Sequence, residues 1–192
     1  MSTGFNELLS DGLSRAPTRD LLSGIVAHND KDVSALMGLS VLMELFGVIA
    51  DDDINCWSGN CGAIHGRCSK HDASKVLSLH DQITRVDCQF RHQYYDRIDL
   101  DDVIDTGQEA TDNPMGFQNQ HLISQYADIL ITQKWLQNRL WLLCFTHNLL
   151  EAESYRSELL FTYAISLAES PLDICRSLPL SSMEAHGIGL VC

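Results

Sequence analysis

The stretch from His121 to Leu150, HLISQYADILITQKWLQNRLWLLCFTHNLL, decides the fold. Leu122, Tyr126, Ile129, Leu130, Leu136, Leu140, Leu143 and Cys144 recur at the three-to-four spacing that places them on one face of an α-helix. Gln133, Lys134, Gln137, Asn138 and Arg139 fall mostly on the other faces. Such a stripe needs a core. Fully burying one large apolar side chain contributes roughly 1.5–3 kcal/mol, so Leu136, Leu140, Trp141 and Leu143 are expected to hold neighbouring helices against this one.

Working outward, Val33 to Ala50, VSALMGLSVLMELFGVIA, is apolar for about the length of a short membrane span. Glu44, Ser34 and Ser40 within it, and acidic flanks at Asp30, Asp32 and Asp51 to Asp53, point instead to a buried helix of a soluble domain, because an ionised carboxylate in hydrocarbon is costly. Asp30 or Asp32 is expected to cap it, with Val33, Leu36, Met37, Val41, Leu45 and Val48 as its stripe. A shorter helix capped by Thr18, carrying Leu21, Leu22, Ile25 and Val26, should precede it as an antiparallel partner, after a flexible N-terminus over residues 1–17. Ser69 to Arg85 resumes helical spacing through Val76, Leu79 and Ile83, with Asp72 suited to the amino end and His80 beside the stripe as a partly exposed residue.

Between these helices lie polar connections. Asp51 to Arg67 reads as a turn-rich loop. Asp96 to Asn113 carries seven acids and one base; Asp101 stands where a calcium loop begun at Asp96 needs glycine, so the segment reads as a hydrated acidic linker, at about 96–114, between two helical halves. Near the end, Tyr163, Ala164, Leu167 and Ala168 form another stripe, Ser170-Pro171 predicts a new helix start, and Ser181 with Glu184 forms a capping box. The fold class is therefore all-α: a single irregular multi-helix domain of about six to eight helices over residues 18–192.

Composition restricts the function. A net charge of −13 and a pI near 4.8 oppose direct contact with a nucleic-acid backbone. Arg67 to Arg97 holds six basic residues against four aspartates, with Tyr94 and Tyr95, and reads as a solvated helix face. Seven cysteines, an odd number without a signal peptide before them or a glycosylation sequon, suit reduced thiols inside a cell. Cys56, Cys61, Cys68 and His71 are the candidate zinc ligands: Cys56-x4-Cys61 and Cys68-x2-His71 could each supply two corners of a tetrahedron. Without a repeated close knuckle the plainer reading is an incidental cluster, and the expectation is no metal and no cofactor. No Gly-x-Ser-x-Gly, Walker A or His-Glu-x-x-His motif occurs, and Cys144 with His147, three apart, reads as buried packing rather than a nucleophile and base.

Trp135-Leu136 through Trp141-Leu142-Leu143-Cys144 and His147 to Leu149-Leu150, then Glu158 to Tyr163, then Leu178 to Gly189 with Ser182, Glu184, His186 and Gly187, resemble the carboxyl-terminal regulatory region of fungal Zn(II)2Cys6 (zinc-cluster) transcription factors. The resemblance covers roughly the last third of the chain. It implies a helical regulatory, protein-interacting domain resident in the nucleus, truncated or divergent where the chain stops after Ile188 to Val191. The family's six-cysteine DNA-binding array is not carried over, since only Cys61-x6-Cys68 echoes its spacing. The expected function is accordingly a non-enzymatic regulatory or interaction domain with a protein partner or a second copy as ligand, room for a small-molecule effector, and no direct contact with nucleic acid or membrane. The alternatives are a small structural zinc protein organised by residues 56–71 and, last, a helical enzyme using His147 or His186.

Overall fold

The computed structural model describes residues 24–63, 66, 68–95 and 114–177. In chain order these form α1 (Asp30–Gly47), α2 (Asp51–Trp57), α3 (Ala73–Tyr95), α4 (Pro114–Thr146), a 3-10 turn (Ser157–Leu159) and α5 (Tyr163–Ser177). No strand occurs among the described residues, so the fold is helical, with five α-helices in that part. The acidic linker, the Ser181–Glu184 capping box and the Ile188–Val191 run lie outside the described residues. Of the helix expected from Thr18, only residues 24–28 are described, and they are not helical.

The 33-residue α4 is the axis of the molecule and packs against α1, α2, α3, α5 and the 3-10 turn. Its stripe is buried as expected: Ile129, Leu136, Leu140, Leu143 and Cys144 join Leu45, Val48, Val76, Leu79, Ile83, Val86 and Leu159 in one core. One expectation for this helix needs correcting. Gln133 and Gln137, read as outward-facing, are each 2% exposed. They are accommodated because their amides donate into α3, Gln133 to the Ile83 carbonyl at 3.1 Å and Gln137 to Thr84 Oγ1 at 3.2 Å. Trp135, off the buried stripe, is 43% exposed beneath Arg139, whose guanidinium lies 5.1 Å from its ring centroid.

Local chemistry sets the helix ends. Asn29, not Asp30 or Asp32, caps α1 by accepting from the Asp32 N–H at 3.0 Å, while Asp32 Oδ2 takes the His28 N–H at 2.9 Å. Asp51 to Asp53 start a helix rather than a loop: three acids suit the positive end of α2, and Asp53 Oδ2 accepts from the Ala50 N–H at 2.7 Å. Asp72 caps α3 through the Lys75 N–H at 2.8 Å. Ser170-Pro171 begins no new helix, since Pro171 lies inside α5, where its missing N–H forgoes only the bond to the Leu167 carbonyl. Among the described residues no single helix is long and apolar enough to cross a membrane; α1 and α2 together have that composition but meet at 72°.

His80 departs from its expected exposure. It is 8% exposed, with Nε2 2.6 Å from the Tyr163 hydroxyl and Nδ1 3.8 Å from Glu158 Oε1. Burial holds its pKa below the ordinary 6.5, and the nearby Glu158 and Asp81 carboxylates only partly oppose this. Because the unfolded chain takes up this proton first, stability is fully present above about pH 6.5 and declines as pH falls below it toward the folded pKa. Urea midpoints measured from pH 8 to pH 5 should show that decline, and His80→Gln should flatten it; an unchanged slope in the variant would remove His80 as its source.

Candidate metal centre

The ends of α2 and α4 and the segment joining α2 to α3 converge at one point. Cys56 occupies the last turn of α2, which closes with Gly59 at φ 73°, the Gly59 N–H on the Cys56 carbonyl at 3.1 Å and the Asn60 N–H on the Asn55 carbonyl at 2.8 Å. This Schellman closure reverses the chain and brings Cys61 back beside the helix it has just left. The far end of α4 closes the same way with Asn148, φ 54°, where the Asn148 N–H reaches the Phe145 carbonyl at 3.3 Å and the Leu149 N–H the Cys144 carbonyl at 2.8 Å. His147 is thereby held as the last residue before the turn. Gly66, φ 75°, lets the loop lie on that turn, since a Cβ there would overlap the Asn148 amide. Cys68 and His71 then face each other across a tight antiparallel turn that leads into α3.

The Sγ atoms of Cys56, Cys61 and Cys68 and a ring nitrogen of His147 all lie within 4.8 Å of one another. A tetrahedral zinc with Zn–S bonds of about 2.3 Å and Zn–N bonds of about 2.0–2.1 Å sets neighbouring sulfurs about 3.7–3.8 Å apart and sulfur from nitrogen about 3.5 Å apart. Cys56 and Cys68 Sγ are 3.7 Å apart, and Cys61 Sγ is 3.4 Å from His147 Nε2. These separations match the edges of such a tetrahedron. Of the sequence-based candidates, Cys56, Cys61 and Cys68 belong to the convergent group, and its fourth member is His147, which comes from the end of α4 and was read as packing.

Hydrogen bonds fix how the imidazole is presented. His147 Nδ1 is 3.0 Å from the Leu143 carbonyl; a carbonyl only accepts, so Nδ1 carries the proton and Nε2 shows its lone pair to the thiols. Thr146 Oγ1 lies 3.0 Å from the same Nδ1. At Cys68, the Lys70 N–H donates to the sulfur at 3.4 Å, and this bond leads the causes that pull the Cys68 thiol down to about 6. Burial, reinforced by Cys61 and Cys68, pushes Cys56 up to about 12. A negative charge therefore settles on the outer sulfur, next to Lys70, which pairs with Asp52 at 2.5 Å.

His71 stands behind Cys56, its Nδ1 3.2 Å from the sulfur and its Nε2 2.5 Å from Asp53 Oδ1, with the His71 and Asp53 side chains fully buried. Burial raises the Asp53 pKa, but the bonds from His71 and the Ala50 N–H outweigh it and hold the carboxyl below its ordinary range. Cys56, His71 and Asp53 share the connectivity of a nucleophile, base and orienting carboxylate. A nucleophilic thiol needs access and a lowered pKa. Cys56 is 5% exposed and its pKa is raised, so this arrangement does not suit it to attack. Cys144, the other thiol considered, is 1% exposed in the core and pushed up to about 12 by burial.

Elsewhere, Trp135 packs against both Phe46 and Trp57, with ring centroids 6.5 and 6.3 Å away. Phe46 is 52% exposed. His80, Asp81 and Glu158 form a second group of ligand-type side chains, but Arg156 already bridges the two carboxylates at 2.8 and 3.0 Å. Compared with known proteins, the chain matches no protein-family model, no curated protein and no solved structure.

Proposed function

We propose that this chain is a non-enzymatic helical interaction domain closed by one structural zinc ion, held by Cys56, Cys61, Cys68 and His147. The convergence of three thiols and one imidazole at tetrahedral spacings carries this reading. Thiolate and imidazole donors in that ratio favour zinc among the common divalent ions. The zinc's work is mechanical: it ties the loop between α2 and α3 to the end of α4. Four protein ligands fill a tetrahedron and leave no open position for a substrate, which distinguishes a structural from a catalytic site.

The second reading concerns what the domain is for. The resemblance of its last third to the regulatory region of zinc-cluster transcription factors supports a nuclear regulatory role without DNA contact of its own. The partly exposed Phe46, Trp57 and Trp135 cluster favours a protein partner, since aromatic residues with an adjacent arginine are enriched where proteins meet.

Native mass spectrometry of the chain, before and after a strong chelator, tests the metal reading. One zinc per chain is expected, lost on chelation and held more weakly by Cys61→Ser. A chain that binds no zinc even when titrated with it would overturn the reading.

A further inference from the structure

We infer that the centre offers five donors for four positions, with His71 as a second nitrogen ligand that exchanges with His147. This rests on the zinc reading above. The two imidazoles are prepared in the same way from opposite sides. His147 gives its Nδ1 proton to the Leu143 carbonyl and turns Nε2 toward Cys61, 3.4 Å away. His71 gives its Nε2 proton to Asp53 and turns Nδ1 toward Cys56, 3.2 Å away. Their ring centroids are 6.2 Å apart.

The Asp53 carboxylate has a particular place in this. A buried carboxylate is costly unless it is fully paired. This one is paired on both oxygens, Oδ2 by the Ala50 N–H at 2.7 Å and Oδ1 by His71 at 2.5 Å, with Lys75 3.4 Å from Oδ1. A carboxylate behind one ring nitrogen, with thiols in front of the other, is the outer support that metal-bound histidines carry. Three thiolates leave one position in a four-coordinate zinc; His147 is the nitrogen within the convergent group, and His71 Nδ1 waits 3.2 Å from Cys56 beside it.

Which histidine fills it decides what the metal ties together. With His147, the ion joins the loop to α4, across 86 residues of sequence from Cys61. With His71, all four ligands come from residues 56–71, and the end of α4 is released while the loop keeps its metal. The exchange is therefore a joint between loop and long helix that opens without loss of the ion. No atom is oxidised or transferred; one neutral nitrogen donor replaces another.

The test loads the full chain with cadmium-113, a thiolate-seeking stand-in for zinc, and records nitrogen-15 spectra of its histidine rings. In the wild-type chain, metal-dependent shifts are expected at both His147 Nε2 and His71 Nδ1. In His147→Gln, a one-bond cadmium coupling should appear at His71 Nδ1. Zinc affinities from chelator competition should fall about 10–100-fold in His147→Gln and at least about 10-fold further in the His71→Gln/His147→Gln double variant, the lower range being that of losing a supporting group. Should His147→Gln show no one-bond cadmium coupling at His71 Nδ1, or the wild type show such coupling at His147 Nε2 alone, His71 is only a supporting residue and the exchange is wrong. The wild-type spectra decide even where a variant does not fold. Failure of the wild type to bind metal at all would instead sink the zinc reading itself.

Discussion

Removing the metal should lower the melting temperature of this chain by about 8–16 °C. A ligand that binds only the folded state stabilises it by about 4 kcal/mol when free ligand stands a thousandfold above its Kd. For a chain of about this size, each kcal/mol moves the melting temperature by about 2–4 °C. The reason to expect a large effect lies in what surrounds the site. Among the described residues of the loop from Ser58 to Lys70, Ser58, Gly59, Asn60, Gly62, Ala63, Ser69 and Lys70 are exposed, while Cys61, Gly66 and Cys68 are half-buried. The thiol and imidazole groups are therefore expected to carry much of its attachment to α4. Calorimetry of the zinc-loaded chain, the chelated chain and the chain with zinc restored measures the effect. A transition that stays in place through all three would show that the loop holds itself down without an ion.

Leu136→Ala should destabilise the fold by about 2–5 kcal/mol, the range for deleting a fully buried leucine whose surroundings cannot collapse into the space. Leu136 is 0% exposed and belongs to the core shared by α1, α3 and α4. The cost should fall at the upper part of that range. Leu136 sits in the second half of α4, which packs against each of the other described helices, so relaxation toward one neighbour opens a gap against another. Urea unfolding of the zinc-saturated variant, with zinc present throughout so that metal loss does not contribute, gives the value. A loss below about 1 kcal/mol would be inconsistent with a close-packed position.

The two predictions probe different kinds of information in the chain. The helical character, the central place of residues 122–146 and the burial of Leu136, Leu140 and Leu143 were legible from periodicity, because a helix repeats every 3.6 residues and its buried face repeats with it. Cys56, Cys61 and Cys68 were legible as a group because they fall within thirteen consecutive positions, counting 56 through 68. Gln133 and Gln137 were not. Their burial depends on acceptors at Ile83 and Thr84, some fifty residues away, that no local pattern announces. The start of α2 was missed for a different reason: three aspartates suggest hydration, yet at a helix amino end they meet unpaired N–H groups and a favourable dipole.

Sequence by itself determined the helices and the thiols, since both follow from interactions between residues near one another in the chain. Only the tertiary structure decided the fourth member of the convergent group. His71 lies close to the cysteines in sequence and was the natural choice; His147 reaches them because α4 runs back past α2 and ends in a left-handed turn at Asn148, against Gly66. The protonation pattern that turns His147 Nε2 toward Cys61 comes from the carbonyl of Leu143, one helical turn earlier. A donor's identity is written at its own position, but its direction is set by its neighbours in space, and those are fixed only when the helices pack.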